Sequence, residues 1–480
     1  MPARGLLCDG SELAVREMAD FVIVGSGAAG ATCARWLAAA GHEVVVVEEG
    51  AAAGPAPGGA AEALASLYRD GGAVAAIGPD PLPLLQGCCV GGTTVINGGI
   101  QVPLPEAVWR EWVRRDSRWA RLLPWEELER CREAMDRELS VAPTPPGLWG
   151  GNGRTMLAGL GEDARPTRRN APGCRGTGRC LQGCPHDGRA SADLTLLPRA
   201  IGDGARLYAR CRVLRVFPSW GHRPAGVAGR FRSGAPFRAH ARRAVILAAS
   251  AIQTPWLIAR SGLPGAMPAF QCHPGSALAG LFPEALDPTG ATQAMESHAW
   301  LGDGLKFETL GMPAAFKRAR VPGVGRKLQE RLALLDRVAL WGVCVRAEAV
   351  GAVRRGPWGP IVHYALTPRD RQVMLRGLSI LAIAMLEAGA SEVWPAVYGA
   401  PEIVTSRAQA AALADLPARP GMVPMVATHL FGGVHVTDRF QVAGLPGLVV
   451  ADSSLFPTNL GVNPMSAITA VATLVAEAWS

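Results

Sequence analysis

The chain has 480 residues, 49% hydrophobic and 18% charged, enough to bury a large core and ordinary for a globular protein. All but three of its 48 basic residues are arginines, scattered without a run of five or six like charges, so the net charge of +8 does not mark a nucleic-acid surface. The eleven cysteines are odd in number, the first apolar run begins only at Phe21, and "LSILAIAML" (378–386) is far short of the ~20 residues a membrane span needs, so a reducing cytoplasm and no membrane span are expected.

The first predicted unit is "DFVIVGSGAAGATCARWLAAAGHEVVVVEEG" (20–50). Gly25, Gly27 and Gly30 form G-x-G-x-x-G, which 58 glycines would produce by chance roughly once, but its context is specific. "FVIV" reads as a buried parallel strand, "AGATCARWLAAA" as a helix ended by Gly41, and "EVVVVEE" as a second buried strand. Bare backbone from Gly25 through Gly27, Ala28, Ala29 and Gly30 lets a pyrophosphate approach the positive end of that helix. Glu48 closes the second strand, where a carboxylate accepts ribose hydroxyls and disfavours a 2′-phosphate. This unit predicts bound FAD or NAD(H) without choosing between them.

"AAAGPAPGGAAEA" (51–63) reads as a low-complexity loop, and "PLPLLQ" (81–86) as a segment lying over a ligand. "GCCVGGTTVINGGI" (87–100) contains no acid, base or histidine. Its Gly91-Gly92, Thr93-Thr94 and Asn97 predict a loop entering a short helix, whose bare amides touch a phosphate or the edge of a flat ring. "CRGTGRCLQGCP" (174–185) sets Cys174, Cys180 and Cys184 beside His186, but their spacing fits neither common zinc nor iron–sulfur patterns. No metal is expected.

Between 205 and 247, "ARLYARCRVLRVF" and "FRAHARRAVIL" predict a small meander. "RRAVILAASAIQTPWLIARSGL" (242–263) predicts a strand, a close-approach turn at Ala248, Ala249 and Ser250, and a helix with Thr254 as N-cap and Pro255 at its first position. Antiparallel strands are expected at "RVALWGVCVRAEAV" and "GPIVHYAL", then a helix capped by Thr367 with Pro368 first and Asp370 third. At the C-terminal side come "VATHLFGGVHV" (426–436), a strand "LVVADSS" ending at Asp452, and "GVNP". The last opens a helix with Asn463 as N-cap, Pro464 first, and Ile468, Val471, Leu474 and Val475 on one apolar face.

Together the glycine turn, "GCCVGGTTVINGGI", Ser250 with Thr254-Pro255 and Ser261-Gly262, and the C-terminal "THLFGG" and "GVNP" resemble the glucose–methanol–choline (GMC) oxidoreductases, flavoenzymes that oxidise alcohols with FAD. The resemblance spans 20–480 with gaps. It departs at Pro264, where the family usually has glycine, and at Cys88-Cys89, where an arginine is often seen; nothing in the sequence explains the second change. "CRGTGRCLQGCP" and "GVNP" are similar to the branch of long-chain-alcohol and sterol oxidases, which implies a structural role for the three cysteines.

The resemblance implies an α/β fold: a Rossmann-like FAD-binding domain (15–105, 195–270 and 421–480) plus a smaller α+β substrate domain with an antiparallel sheet (106–194 and 271–420). FAD would contact Gly25, Gly27, Ala28, Ala29, Gly30, Glu48, Gly91, Gly92, Asn97, Val213, Ala249, Asp452, Asn463 and Met465. Val213 would lie near the adenine, Asp452 near the ribityl chain, and the final helix at Pro464-Met465 would face the flavin N1/C2 edge. His429 would be the general base for a primary or secondary alcohol of apolar or mixed character, with Asn463 orienting the substrate oxygen. Electrons would pass to dioxygen or another acceptor.

Some family members attach FAD through a histidine in the 87–100 loop, where this chain has Ile96, so non-covalent FAD is expected. Three alternatives stand beside this reading. Asn463 as only an N-cap, His435 in place of His429, and non-redox chemistry of the hydroxynitrile-lyase kind each fit the same residues. The arginine bias points to a GC-rich genome, in hosts where such enzymes tailor natural products.

Overall fold

The computed structural model describes residues 6–52, 54 and 56–480. The last four residues of strand Val15–Val24 and all of Val44–Val47 are buried, as continuous apolar runs require in a parallel sheet covered on both faces. They pair in parallel from Phe21–Val44 to Val24–Val47, joined by helix Ala28–Ala39, and Gly41 follows the helix at φ +86°.

Among the described residues this first sheet has eight strands. Its order is Leu6–Asp9, Arg206–Ala209, Val44–Val47, Val15–Val24, Pro236–Leu247, Ala225–Phe231 and Cys211–Phe217, with Leu448–Val450 also on Pro236–Leu247. The long strand Pro236–Leu247 unites two patterns: its first half carries the antiparallel meander and its second half pairs in parallel with Leu448–Val450. Helix Met465–Trp479 packs against Ala28–Ala39, where the Trp36 indole donates to Thr473 Oγ1 at 2.9 Å.

The second sheet is antiparallel at every pairing, in the order Glu392–Trp394, Gln271–Leu281, Val338–Val345, Leu305–Thr309, Met295–Ser297 and Ala164–Pro166. Helix Pro368–Glu387 shares its core and is closed by a capping box between Thr367 and Asp370. "LSILAIAML" lies inside this helix, with Leu378, Leu381 and Met385 fully buried, each worth about 1.5–3 kcal/mol of removed apolar surface. Among the described residues no helix is long and apolar enough to cross a membrane.

Strand Val426–Phe431, which carries His429, pairs with Gln271–Leu281 of this second sheet. The register slips between Cys272 and Pro274, because proline has no N–H to give the ladder. His273 sits in that slip.

Three local expectations change. Residues 60–63 of the expected loop belong to helix Ala60–Leu67, while Ala53 and Pro55 of that loop lie outside the described residues. The helix expected to start at Thr254 starts at Ser250. The Thr254 hydroxyl accepts from the Ala249 N–H (3.1 Å) and donates to Asp452 Oδ2 (2.6 Å), so it ties the turn to a distant strand rather than capping. The final helix starts at Met465, and Asn463 caps nothing because its side chain turns toward His429.

Candidate active site

A cavity of about 560 Å³ runs between the two sheets. One wall is the first glycine turn. A Cβ on Gly30 would lie 1.9 Å from the Gly25 carbonyl oxygen, so only glycine lets helix and strand approach this closely. A Cβ on Gly27 would meet nothing within 4 Å, and Gly27 starts the helix without a side-chain cap, leaving first-turn amides facing the cavity beside Ala28 and Ala29. Glu48 is buried there. Its carboxylate accepts from Ser26 N (3.0 Å), Ser26 Oγ (2.8 Å) and Gly50 N (2.8 Å), which leaves one of roughly four acceptor positions free for a ligand hydroxyl. Burial raises its pKa, against those three hydrogen bonds.

The 87–100 loop is pressed onto this turn. Gly91 N donates to Ser26 Oγ at 3.1 Å, and a Cβ on Gly92, whose φ is +53°, would come 3.0 Å from Gly27 Cα. Gly92–Val95 forms the short helix, Asn97 Nδ2 donates to Met465 Sδ at 3.2 Å, and Ile96 faces the cavity. Two arginines hold the loop: Arg169 Nε donates to Gly98 O at 2.7 Å, and Arg189 donates to the Val95 and Asn97 carbonyls. Val213 lines the cavity beside a slip in its strand, and Gln86 reaches Ser250 Oγ at 2.8 Å. Asp452 receives Ser250 N and Ser454 N, both at 2.8 Å, next to Ala249.

His429 and Asn463 meet at the centre, with Asn463 Nδ2 at 3.3 Å from His429 Nε2. Asn463 Oδ1 has no partner among the described residues. The other ring nitrogen of His429, Nδ1, lies 3.1 Å from Nδ1 of His273, which is 1% exposed. Burial pulls the His429 imidazole down to about 4, opposed by the Glu308 carboxylate. It pulls His273 well below its ordinary value, with His429 and Lys306 adding to the shift.

A buried charge ladder runs behind the pair. Lys306, fully buried, donates to Glu308 at 3.0 Å and forms an ion pair with Glu296 at 3.0 Å; Gln293 bonds Glu308 at 2.9 Å, and His298 lies 3.2 Å from Glu296. Burial opposes charge on Lys306, but the two carboxylates more than offset it and raise its pKa. Burial alone would raise Glu308; Lys306, with His429 and Gln293, holds it below the usual range. Glu308 lines the cavity.

His435 is placed elsewhere, in a separate small cavity with its Nε2 at 3.3 Å from an Arg118 nitrogen. Among the described residues no group of three metal-ligating side chains is assembled. All eleven cysteines are free, and Cys174 and Cys180 accept from Arg169 at 3.6 and 3.4 Å. These thiols therefore buttress the arginine that holds Gly98.

Ser26, His273, Glu308, Arg169 and Arg189 were not singled out from sequence. Lys306 and Glu308 had a legible signal: in a chain with three lysines, "KFE" on an apolar strand puts both charges on one face. His273 had none.

Family models described as GMC oxidoreductase match residues 64–332 and 348–472, and an NAD(P)-binding Rossmann-like domain model matches 23–67. An uncharacterized GMC-type oxidoreductase of Mycobacterium tuberculosis is 35% identical over 96% of this chain and 75% of its own length. A long-chain-alcohol oxidase of Arabidopsis thaliana is 26% identical over 94% of this chain and 65% of its own. A formate oxidase of Aspergillus oryzae, studied for FAD modification, superposes with a TM-score of 0.71 at 15% identity, covering 98% of both chains.

Proposed function

The chain belongs to the GMC oxidoreductase family, and on that premise we propose that it binds FAD non-covalently and oxidises a primary or secondary alcohol to the aldehyde or ketone. The observation that carries the reading is the paired His429 and Asn463 facing the same cavity as the uncapped glycine turn. The long-chain-alcohol oxidase relative supports an alcohol as substrate class.

The residues fit the group. Gly27 and the first-turn amides suit a pyrophosphate, Glu48 keeps an acceptor for a ribose, and Ile96 offers no nucleophile for a covalent link. In this reading segments 15–105, 195–270 and 421–480 hold the dinucleotide, and 106–194 and 271–420 form the substrate side. Hydride acceptance at N5 is the chemistry that bound FAD supplies.

The protein supplies the proton path and orientation. With Asn463 Nδ2 facing His429 Nε2, the pair fits the tautomer in which His429 Nδ1–H donates to His273 Nδ1, leaving the Nε2 lone pair toward the cavity. The 3.3 Å contact is long for a hydrogen bond. A substrate hydroxyl entering there would give its proton to Nε2 while its oxygen accepts a hydrogen bond from Asn463 Nδ2. Burial keeps His429 neutral at physiological pH, as a base requires.

Anaerobic mixing with a panel of alcohols tests the proposal. Flavin bleaching on substrate addition is the expected result, whereas turnover without bleaching would identify a lyase.

A further inference from the structure

The cavity wall carries, among the described residues, a cation with no carboxylate in ion-pair range. Arg320 lines the cavity together with Leu310, Met312, Phe316, Ala277 and Leu340. Its guanidinium donates to the Pro424 carbonyl at 3.2 Å, the same oxygen that receives Ser276 Oγ at 2.8 Å. Among the described residues no acid lies within ion-pair distance of it, and burial alone pulls its pKa below the ordinary value. Of the other arginines on the cavity wall, Arg69 and Arg212 share Glu49 at 3.0 and 3.1 Å, whereas Arg260 makes no ion pair among the described residues and is crowded by Arg212 and Arg215. Glu308, the carboxylate near the histidines, is taken up by Lys306.

The position of Arg320 along the cavity follows from the strands it touches. Ser276 lies three residues beyond His273 on the same strand. At ~3.3 Å per residue, Ser276 is about 10 Å along the strand from His273. Ala277, Leu310 and Leu340 give the cavity apolar surface beside it. Arg320 is half-buried, and an anion on a ligand would give it the charge-assisted hydrogen bonds that no protein carboxylate supplies.

Resting on the alcohol-oxidation reading of the site, we propose that Arg320 recognises an anionic group on the substrate, so that the alcohol carries a carboxylate or phosphoryl group at the far end of an apolar chain.

Titration calorimetry on the FAD-loaded enzyme tests this with octanoate, octyl phosphate and methyl octanoate, none of which carries a hydroxyl to oxidise. The better anion should bind about 10- to 100-fold more tightly than the neutral ester, and the tighter of the two tells carboxylate from phosphate recognition. Arg320→Gln should abolish the difference and Arg320→Lys should keep part of it. Equal binding of acid, phosphate and ester by the unaltered enzyme overturns the proposal, as does an undiminished preference in Arg320→Gln. If Arg320→Gln fails to retain FAD, the comparison in the unaltered enzyme still decides. Separately, ω-hydroxyoctanoate is mixed anaerobically with the enzyme. Arg320-dependent anion binding without bleaching by any alcohol would leave the anion site standing and remove the oxidation reading.

Discussion

The Nδ1 atoms of His273 and His429 lie 3.1 Å apart across two antiparallel strands, at the point where the strand register slips. Only one proton fits between two such atoms, so each ring dictates which nitrogen of the other is bare. His273, in the protein interior, thereby acts on the cavity through His429.

Replacing His429 by alanine should lower the rate of flavin reduction by an alcohol 10²–10⁴-fold, the usual contribution of a general base. His273→Ala should cost about 10- to 100-fold, the scale of a lost orienting partner, and His273→Asn should recover part of it because its Oδ1 can accept from Nδ1–H. Stopped-flow absorbance of the flavin measures all three.

Flavin reduction should stay flat from neutral pH down to about 5 and fall only as pH nears 4, where burial places the His429 imidazole. An unperturbed histidine would give the limb near 6.5. Both histidines have depressed values in the fold, so below about 6.5 the unfolded chain binds more protons than the native one. Their contribution to stability is intact above that pH and erodes as pH falls, with the share of His429 gone by about 4. Urea midpoints across this range should show the slope, and replacing both histidines should flatten it.

Lys306→Met should destabilise the protein by about 3–5 kcal/mol, because Glu296 and Glu308 would keep buried charges with no cation between them. Glu308→Gln should cost less, since Lys306 retains Glu296. Denaturant titration of both variants checks the order.

Gly30→Ala should yield protein without flavin, since the added carbon would stand 1.9 Å from the Gly25 carbonyl oxygen and force the turn open. Visible absorbance after purification is the readout. Acid precipitation of the unaltered holoprotein should leave a colourless pellet, as a non-covalent cofactor requires.

Local patterns carried far into the fold. The apolar runs at Phe21 and Val44, with Gly25, Gly30 and Gly41 between, specify a strand–turn–helix–strand unit because each residue's role there depends on near neighbours in sequence. The Thr367–Asp370 capping box is legible for the same reason. Thr254-Pro255 and Asn463-Pro464 misled as helix starts, because their side chains bond to Asp452 and His429, about 200 and 34 residues away in sequence. A capping residue diverted to a distant partner looks unchanged in the sequence.

The sequence by itself determined the glycine turn and the order of strands and helices in the first unit, since short-range spacing and hydrophobic periodicity encode these; only the family resemblance pointed to His429. Only the tertiary structure decided that His273 backs His429, that Lys306 neutralises Glu308, and that Arg320 stands in the cavity without an acid. Those facts depend on which remote strands lie side by side and how far each group is shielded from water, and no spacing along the chain records either.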